Sequence, residues 1–288
     1  MPLNPSLPPD HDWHLHTVFS DGFAAPEAVV RGAAAHGLRS VAITDHDCLD
    51  AHLGGGLARL GASLGLEVVV GAEIDCAFGD TETEVLAYRF DPEHPGLAGR
   101  LRAVQDARWE RFRFFCAGLT AEGLAVDAAE VVPAGTRVPI KVHLFRWLMA
   151  RGVYREGQYK AFKARLDALG APPAVVKPAL EEVVALVRAA GGFSVLAHPL
   201  YYARPIGLDR LVAAGAAAGC VGVELVYPYR HGPKGIAPQV ARAGLAELQA
   251  AVARHLPSEP LWTRGSDMHD PAQWGERLVE MAAWEVEG

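Results

Sequence analysis

Short apolar runs alternate with Ala- and Leu-rich stretches along most of this chain, and that alternation narrows the possible folds more than any other feature. Runs at 12–17, 40–44, 67–74, 84–90, 193–197, 221–227 and 261–266 have the length and composition of strands. Stretches near 26–37, 57–65, 97–122, 143–151, 157–169, 179–190, 207–218 and 236–255 carry helical patterns. Repeated strand–helix alternation specifies an α/β fold with a largely parallel sheet. EVVVGAEI, FSVLAHP and VGVELVYP are almost continuously apolar, as strands covered by helices must be. The alternation lapses between about 96 and 178, where three helical patterns succeed one another without a strand. That segment is expected to be an α-helical insertion, closed by the loop GAPPAVVKP. The flanking 1–95 and 179–288 form the main α/β unit. Half the 288 residues are hydrophobic and 21% are charged, enough for one sizeable core.

The polar residues fall at the ends of the strands. The first strand runs into DWHLHTVFSDG, the second into TDHD, the third into GAEID, a later one into AHP and the last into GSDMHD. In such folds the strand C-termini gather on one face, where loops build the active site. So many acid and imidazole groups on one face must pair extensively or be neutralised by cations. His14 and His16 are two residues apart and on a strand point to the same side. An HxH alone is as compatible with structural histidines as with ligands. Five such clusters in one chain point to a metal site.

DxHxHTxxSDG, TDHD, GxEI, AHP and GSDxH, in that order, resemble the motif series of the PHP (polymerase and histidinol phosphatase) phosphoesterases, over roughly residues 12–90 and 179–270. The resemblance implies a distorted seven-stranded β/α barrel with two or three divalent cations: manganese, zinc or iron. By their positions in the motifs, His14, His16, Glu73 and Asp267 match the ligands of one metal, with Glu73 bridging to a second. His198 matches a ligand of the second, and Asp21, His46 and His269 match a third set. His198, His269 and Asp45 are the candidate catalytic residues. Asp12 and Asp45 flank the histidines, either to orient an imidazole or to make ordinary strand-end hydrogen bonds.

The chain departs from the family at several positions. Glu84, in TEVLAY, stands where relatives carry a histidine ligand, and it would supply a carboxylate to the second site. Glu276, in WGER, stands where the bisphosphate phosphatases of the family often show another histidine. The helical insertion resembles that subgroup, which acts on 3′,5′-nucleoside bisphosphates and has relatives that trim short RNA from the 5′ end. Arg108 and Arg111 in QDARWERFRFF match its R-x-x-R phosphate grip; a solvated arginine face is the plainer alternative. In KVHLF, Lys141 replaces a common arginine, and His143 matches a histidine near the phosphate or a metal. PPAVV lacks the tyrosine of a PxYV pattern, so a base-stacking aromatic is either missing or supplied elsewhere, for example by Tyr201 or Tyr202.

The implied reaction is attack of a cation-activated water on a phosphate monoester. The expected substrate is small and phosphorylated, extending to a short oligonucleotide, with no obligate protein partner. Two alternatives are hydrolysis of a non-phosphate bond and a catalytically silent PHP binding module. Net charge −7 gives no general attraction to nucleic acid. MPLNPSLPPD lacks the pattern of a signal peptide, no apolar run is long enough for a membrane span, and Cys48, Cys76, Cys116 and Cys220 show no paired spacing. A cytoplasmic enzyme with free thiols is expected. Four prolines in the first nine residues imply an extended leader, and His36, His52, His94, His231 and His255 are expected mostly to face solvent.

Overall fold

The computed structural model describes residues 8–231 and 235–287, so most of the proline-rich leader lies outside the described residues. All seven expected strands form: β1 (His11–Leu15), β2 (Ser40–Ile43), β3 (Glu67–Phe78), β4 (Thr81–Tyr88), β5 (Phe193–Leu196), β6 (Gly222–Val226) and β7 (Leu261–Arg264). They lie in chain order in one seven-stranded sheet. Four neighbouring pairs are parallel, and β4 runs against both β3 and β5. The cause is local. Only Gly79 and Asp80 separate β3 from β4, and two residues can close a hairpin but not a parallel crossover. Gly79 supplies the positive φ of 62° that such a turn requires. β7 returns beside β1, where the His16 N–H donates to the Met268 carbonyl at 2.9 Å. The sheet is therefore a nearly closed, distorted barrel.

The helices are α1 (Pro26–Ala35), α2 (Gly56–Ser63), α3 (Pro95–Ala121), α4 (Ala128–Val131), α5 (Lys141–Ala150), α6 (Tyr159–Ala168), α7 (Leu180–Ala189), α8 (Leu208–Ala218), α9 (Pro238–His255) and α10 (Trp274–Glu287). The short α4 and the C-terminal α10 go beyond the sequence expectation. α7 shows why these helices cover the sheet. Its Leu180, Val183, Val184 and Val187 recur at helical spacing and are buried in one cluster with Leu196 of β5. Each such side chain contributes about 1.5–3 kcal/mol on burial.

α3 belongs to two cores. Leu97 and Leu101 lie in the barrel cluster, whereas Phe112, Phe115, Cys116 and Leu119 pack with Val131, Leu144, Phe145, Leu148, Phe162 and Leu166 in a separate one. The four cysteines are free and buried. Among the described residues no helix is long and apolar enough to cross a membrane.

Candidate metal centre

The strand-end motifs meet at one end of the barrel. His14 and His16 leave β1 on the same side and are fully buried, as is Glu73 within β3. His14 Nε2 lies 3.1 Å from Glu73 Oε2 and 3.5 Å from Asp267 Oδ1. His16 Nε2 lies 3.3 Å and 3.1 Å from the same two oxygens. The other oxygen of Glu73 is 2.8 Å from His198 Nε2, which is also 3.4 Å from Glu84 Oε2. His269 Nε2 is 3.1 Å from Asp21 Oδ2, and His46 Nδ1 is 3.4 Å from Glu73 Oε2. Three overlapping donor groups result: His14, His16, Glu73 and Asp267; Glu73, Glu84 and His198; and His16, Asp21, His46 and His269. All nine expected ligands are in them. A fourth group joins His46 and Glu84 to Asp75, which the sequence reading passed over.

Backbone geometry holds this arrangement. His198 and Asp267 have φ values of 22° and 52°, which side-chain-bearing residues adopt only when their surroundings force it. The glycines of SDG and GSD are steric requirements. A Cβ on Gly22 would come within 2.6 Å of the His16 backbone, and one on Gly265 within 2.2 Å of His14 Cβ.

A carboxylate missed by the sequence reading orients two of the candidate ligands. Glu224 of β6 is completely buried, accepts from His14 Nδ1 at 3.0 Å and takes the His198 backbone N–H at 2.8 Å. Donating from Nδ1 leaves the His14 Nε2 lone pair facing Glu73 and Asp267. Its signal was a lone acid inside the apolar run VGVELVYP. Tyr227 donates to Asp267 Oδ2 at 2.6 Å, and the Tyr202 hydroxyl donates to Glu84. Arg277 holds the carbonyls of Ser266 and Asp267 at 2.8 and 2.9 Å. The neighbouring Glu276 is exposed.

The charges are tightly linked. Burial opposes the ionisation of Glu73, but the imidazoles of His14 and His46 outweigh it and hold the carboxyl well below its usual range. Burial likewise opposes the charge on His269, while Asp21 and Asp267 carry it up to about 9. Divalent cations fit this donor set. Both ring nitrogens of His16, Nδ1 of His46 and Nδ1 of His198 are buried without a hydrogen-bond partner in the protein. The spacings of 3.1–3.5 Å among His14, His16, Glu73 and Asp267 are also those of donors arranged around one cation at bonds of about 2.1 Å. Mixed nitrogen and oxygen donors without a thiolate suit manganese, iron or zinc.

Other expected residues take different places. Asp45 accepts from the Thr17 N–H and hydroxyl and from the Ser20 hydroxyl at 2.6–2.8 Å, so it holds the turn after β1 and touches no imidazole. Asp12 accepts from Ser266 N–H and Trp274 Nε1, both at 2.8 Å, tying β1 to the last strand and α10. Strand-end hydrogen bonding thus accounts for both aspartates. His52 departs from its solvent-facing expectation; it is buried, and its Nε2 donates to the Ile43 carbonyl at 2.9 Å. His94 caps α3 by accepting from the Leu97 N–H. His143 caps α5 by accepting from the Ile140 N–H at 3.1 Å, and burial holds its imidazole down to about 4.

A cavity of about 600 Å³ opens onto the centre, lined by Asp21, His46, Glu73, Glu84, His198, Asp267 and His269 among others. Tyr201 and Tyr202 form part of its wall and are buried. A second cavity, of about 390 Å³, lies beneath the insertion and brings together Arg108, Arg111, Lys141 and Lys177. Glu82, Val142 and Lys177 line both. Arg108 is already engaged there, reaching Asp47 Oδ2 at 2.6 Å and Asp75 Oδ2 at 2.7 Å. Arg111 donates to the Pro173 carbonyl at 2.9 Å, and Lys141 lies over the Phe115 ring. Lys177, from the loop that lacks the expected tyrosine, pairs with Asp75 and Glu82.

Known proteins match this arrangement. A PHP domain profile covers residues 12–131. The chain is 32% identical over 223 residues to a 3′,5′-nucleoside bisphosphate phosphatase of Chromobacterium violaceum, spanning 74% of this chain and 75% of that protein. It is 28% identical over 273 residues to the 5′-3′ exoribonuclease Rnm of Escherichia coli, spanning 92% and 87%. A solved metal-dependent phosphoesterase from Bifidobacterium adolescentis superposes with a TM-score of 0.71 at 29% identity, over 94% of this chain and 96% of that one. Motif order, barrel topology and convergent donor groups agree with these matches: the chain belongs to the PHP family of metal-dependent phosphoesterases.

Proposed function

We propose that this enzyme hydrolyses a phosphate monoester on a small nucleotide-derived substrate, such as a 3′,5′-nucleoside bisphosphate or the 5′ end of a short RNA. The observation that carries this reading is the junction of two cavities. One contains the candidate metal ligands, the other a set of basic side chains, and they share lining residues. A substrate with two phosphates fits such a pair, one group at the centre and the other under the insertion. The C. violaceum relative is named for a bisphosphate substrate, and the E. coli relative for RNA.

Two or three divalent cations held by the three donor groups would supply positive charge to the phosphoryl oxygens and acidify a water. The protein's own residues position the chemistry. Glu224 sets the His14 ring, Tyr227 and Arg277 hold Asp267, and Asp45 holds the turn that carries Asp21. His198 and His269 line the cavity, and a proton would reach the leaving oxygen from one of them only where that imidazole is not fully occupied by metal. Binding energy gained under the insertion would orient the reacting phosphate. Arg111 and Lys141 are the cleaner probes of that grip, because Arg108 is consumed by Asp47 and Asp75.

An Arg111→Ala, Lys141→Ala double variant should lose about 10-fold or more in kcat/KM on a bisphosphate and little on p-nitrophenyl phosphate, the size expected for charged contacts to a second phosphate. Equal loss on both substrates, or on neither, rejects the two-phosphate reading. Hydrolysis of amide or carboxylic ester substrates with no turnover of either phosphate ester would replace it with the non-phosphate alternative. No turnover of any of them by the metal-loaded protein would make the chain a silent binding module.

A further inference from the structure

Three permanent cations line the main cavity among the described residues: Arg146, Lys177 and Arg277. Two are spent within the protein. Lys177 lies 2.6 Å from Asp75 Oδ2 and 2.7 Å from Glu82 Oε2. Arg277 donates to the carbonyls of Ser266, Asp267 and His231. Arg146 makes no hydrogen bond or ion pair with any described residue. Its one defined contact is with the face of Phe23, whose ring centroid is 3.6 Å from the guanidinium carbon.

That contact is unusual in placement. Phe23 is 46% exposed at the cavity wall, so its ring face is available to the guanidinium. Its backbone N–H donates to the His269 carbonyl at 2.8 Å, which ties the Phe23 main chain to that of a candidate ligand. Phe23 belongs to the barrel and Arg146 to α5, so the stack bridges barrel and insertion at the cavity. A guanidinium whose carbon lies 3.6 Å from a ring centroid is held against that ring by the cation–π attraction, which uses none of its N–H donors. Asp21 and Asp270 act on its charge without contacting it. A half-buried guanidinium held in position with its donors unspent, beside the candidate metal centre, can offer two N–H groups to a pair of anionic oxygens.

We propose that Arg146, supported by Phe23, is the receptor for the phosphoryl group that is cleaved. In that reaction water oxygen bonds to phosphorus, the ester P–O bond breaks, and the proton that the water gives up balances the one the leaving oxygen takes as it departs as an alcohol. The phosphoryl oxygens keep their negative charge throughout, and Arg146 binds them in substrate and in released phosphate alike. The assignment rests on the phosphomonoesterase reading but concerns a different phosphate from the one gripped by Arg111 and Lys141. The two parts are therefore separable by experiment.

The direct probe is inorganic phosphate, titrated calorimetrically into the metal-loaded protein and also used as a competitive inhibitor. Arg146→Gln keeps much of the stacking bulk and removes the charge. It should weaken phosphate binding about 10- to 100-fold and lower kcat/KM by a similar factor on both p-nitrophenyl phosphate and a bisphosphate. Added guanidinium ion should restore part of the activity of Arg146→Ala, which a merely structural contact would not allow. Phe23→Leu should weaken phosphate binding by about 2- to 5-fold, the scale of an exposed cation–π contact. Parental phosphate affinity in Arg146→Gln overturns the proposal. A lowered melting temperature with unchanged phosphate affinity overturns it too, and makes the stack a docking contact for the insertion. If no phosphate ester is hydrolysed at all, the function proposed above fails, while the phosphate titration still decides the role of Arg146.

Discussion

Both the barrel mouth and the cavity beneath the insertion are crowded with charge, but their charges are held in place differently. At the mouth, most candidate ligands follow the strand ends while Glu73 and Glu84 sit within β3 and β4, and buried side chains such as Glu224 and Tyr227 hold His14 and Asp267 from behind. Beneath the insertion, Arg108 on α3 is held by Asp47 and Asp75 from the barrel, and Lys177 by Asp75 and Glu82. The first arrangement is anchored in the sheet. The second exists only while helices and barrel stay docked.

The strongest way to break this comparison is to remove a charge from the mouth. Asp267→Asn should lower phosphatase activity on the order of 10³-fold, because a neutral amide replaces an anionic donor where transition-state charge is managed. Circular dichroism should remain that of the parent, and metal content should fall. A variant with full metal content and parental turnover would show that Asp267 is not a ligand.

A core substitution in the insertion tests its independence. Phe162 is completely buried in the cluster of α3, α5 and α6, which is separate from the barrel clusters. Phe162→Ala should destabilise the insertion by about 3–5 kcal/mol. Trp109 and Trp147 pack against that cluster, so their fluorescence should report its loosening in denaturant. Metal stoichiometry should stay at the parental value. Loss of metal together with the insertion would mean that the two regions are one cooperative unit.

A smaller effect should come from behind the ligands. Glu224→Gln keeps the shape but removes the charge that accepts from His14 Nδ1, and should weaken metal binding about 10- to 100-fold. Metal titration against a competing chelator measures this. Unchanged affinity would leave Glu224 as a strand-pairing residue only.

Much of the barrel was legible along the chain. Strand and helix periodicities are local, and strand ends in a β/α barrel point to one face. DWHLHTVFSDG, TDHD, GAEID, AHP and GSDMHD therefore picked out candidate ligands that converge from up to 255 residues apart, from His14 to His269. Asp12 and Asp45 sit in the same motifs, yet bind backbone and hydroxyl groups, because a motif position does not say which way a carboxylate turns. The β3–β4 hairpin was partly hidden because the reading began the second strand at 84 and left the Gly79–Asp80 turn unmarked.

What a side chain meets across the fold was decided by tertiary packing alone. No spacing in the chain joins Glu224 to His14, Arg108 to Asp47 and Asp75, or Arg146 to Phe23. His52 looked like a loop histidine until the close approach of β2 and β3 supplied the Ile43 and Gly71 carbonyls around its ring. Backbone period is a property of neighbouring residues, so the sequence by itself determined the α/β barrel, the helical stretch between β4 and β5 and the order of the candidate ligands. Whether a buried charge is satisfied or free depends on groups brought near it only when the chain is closed. That is why the saturation of Arg108 and the unspent donors of Arg146 could be read only in three dimensions.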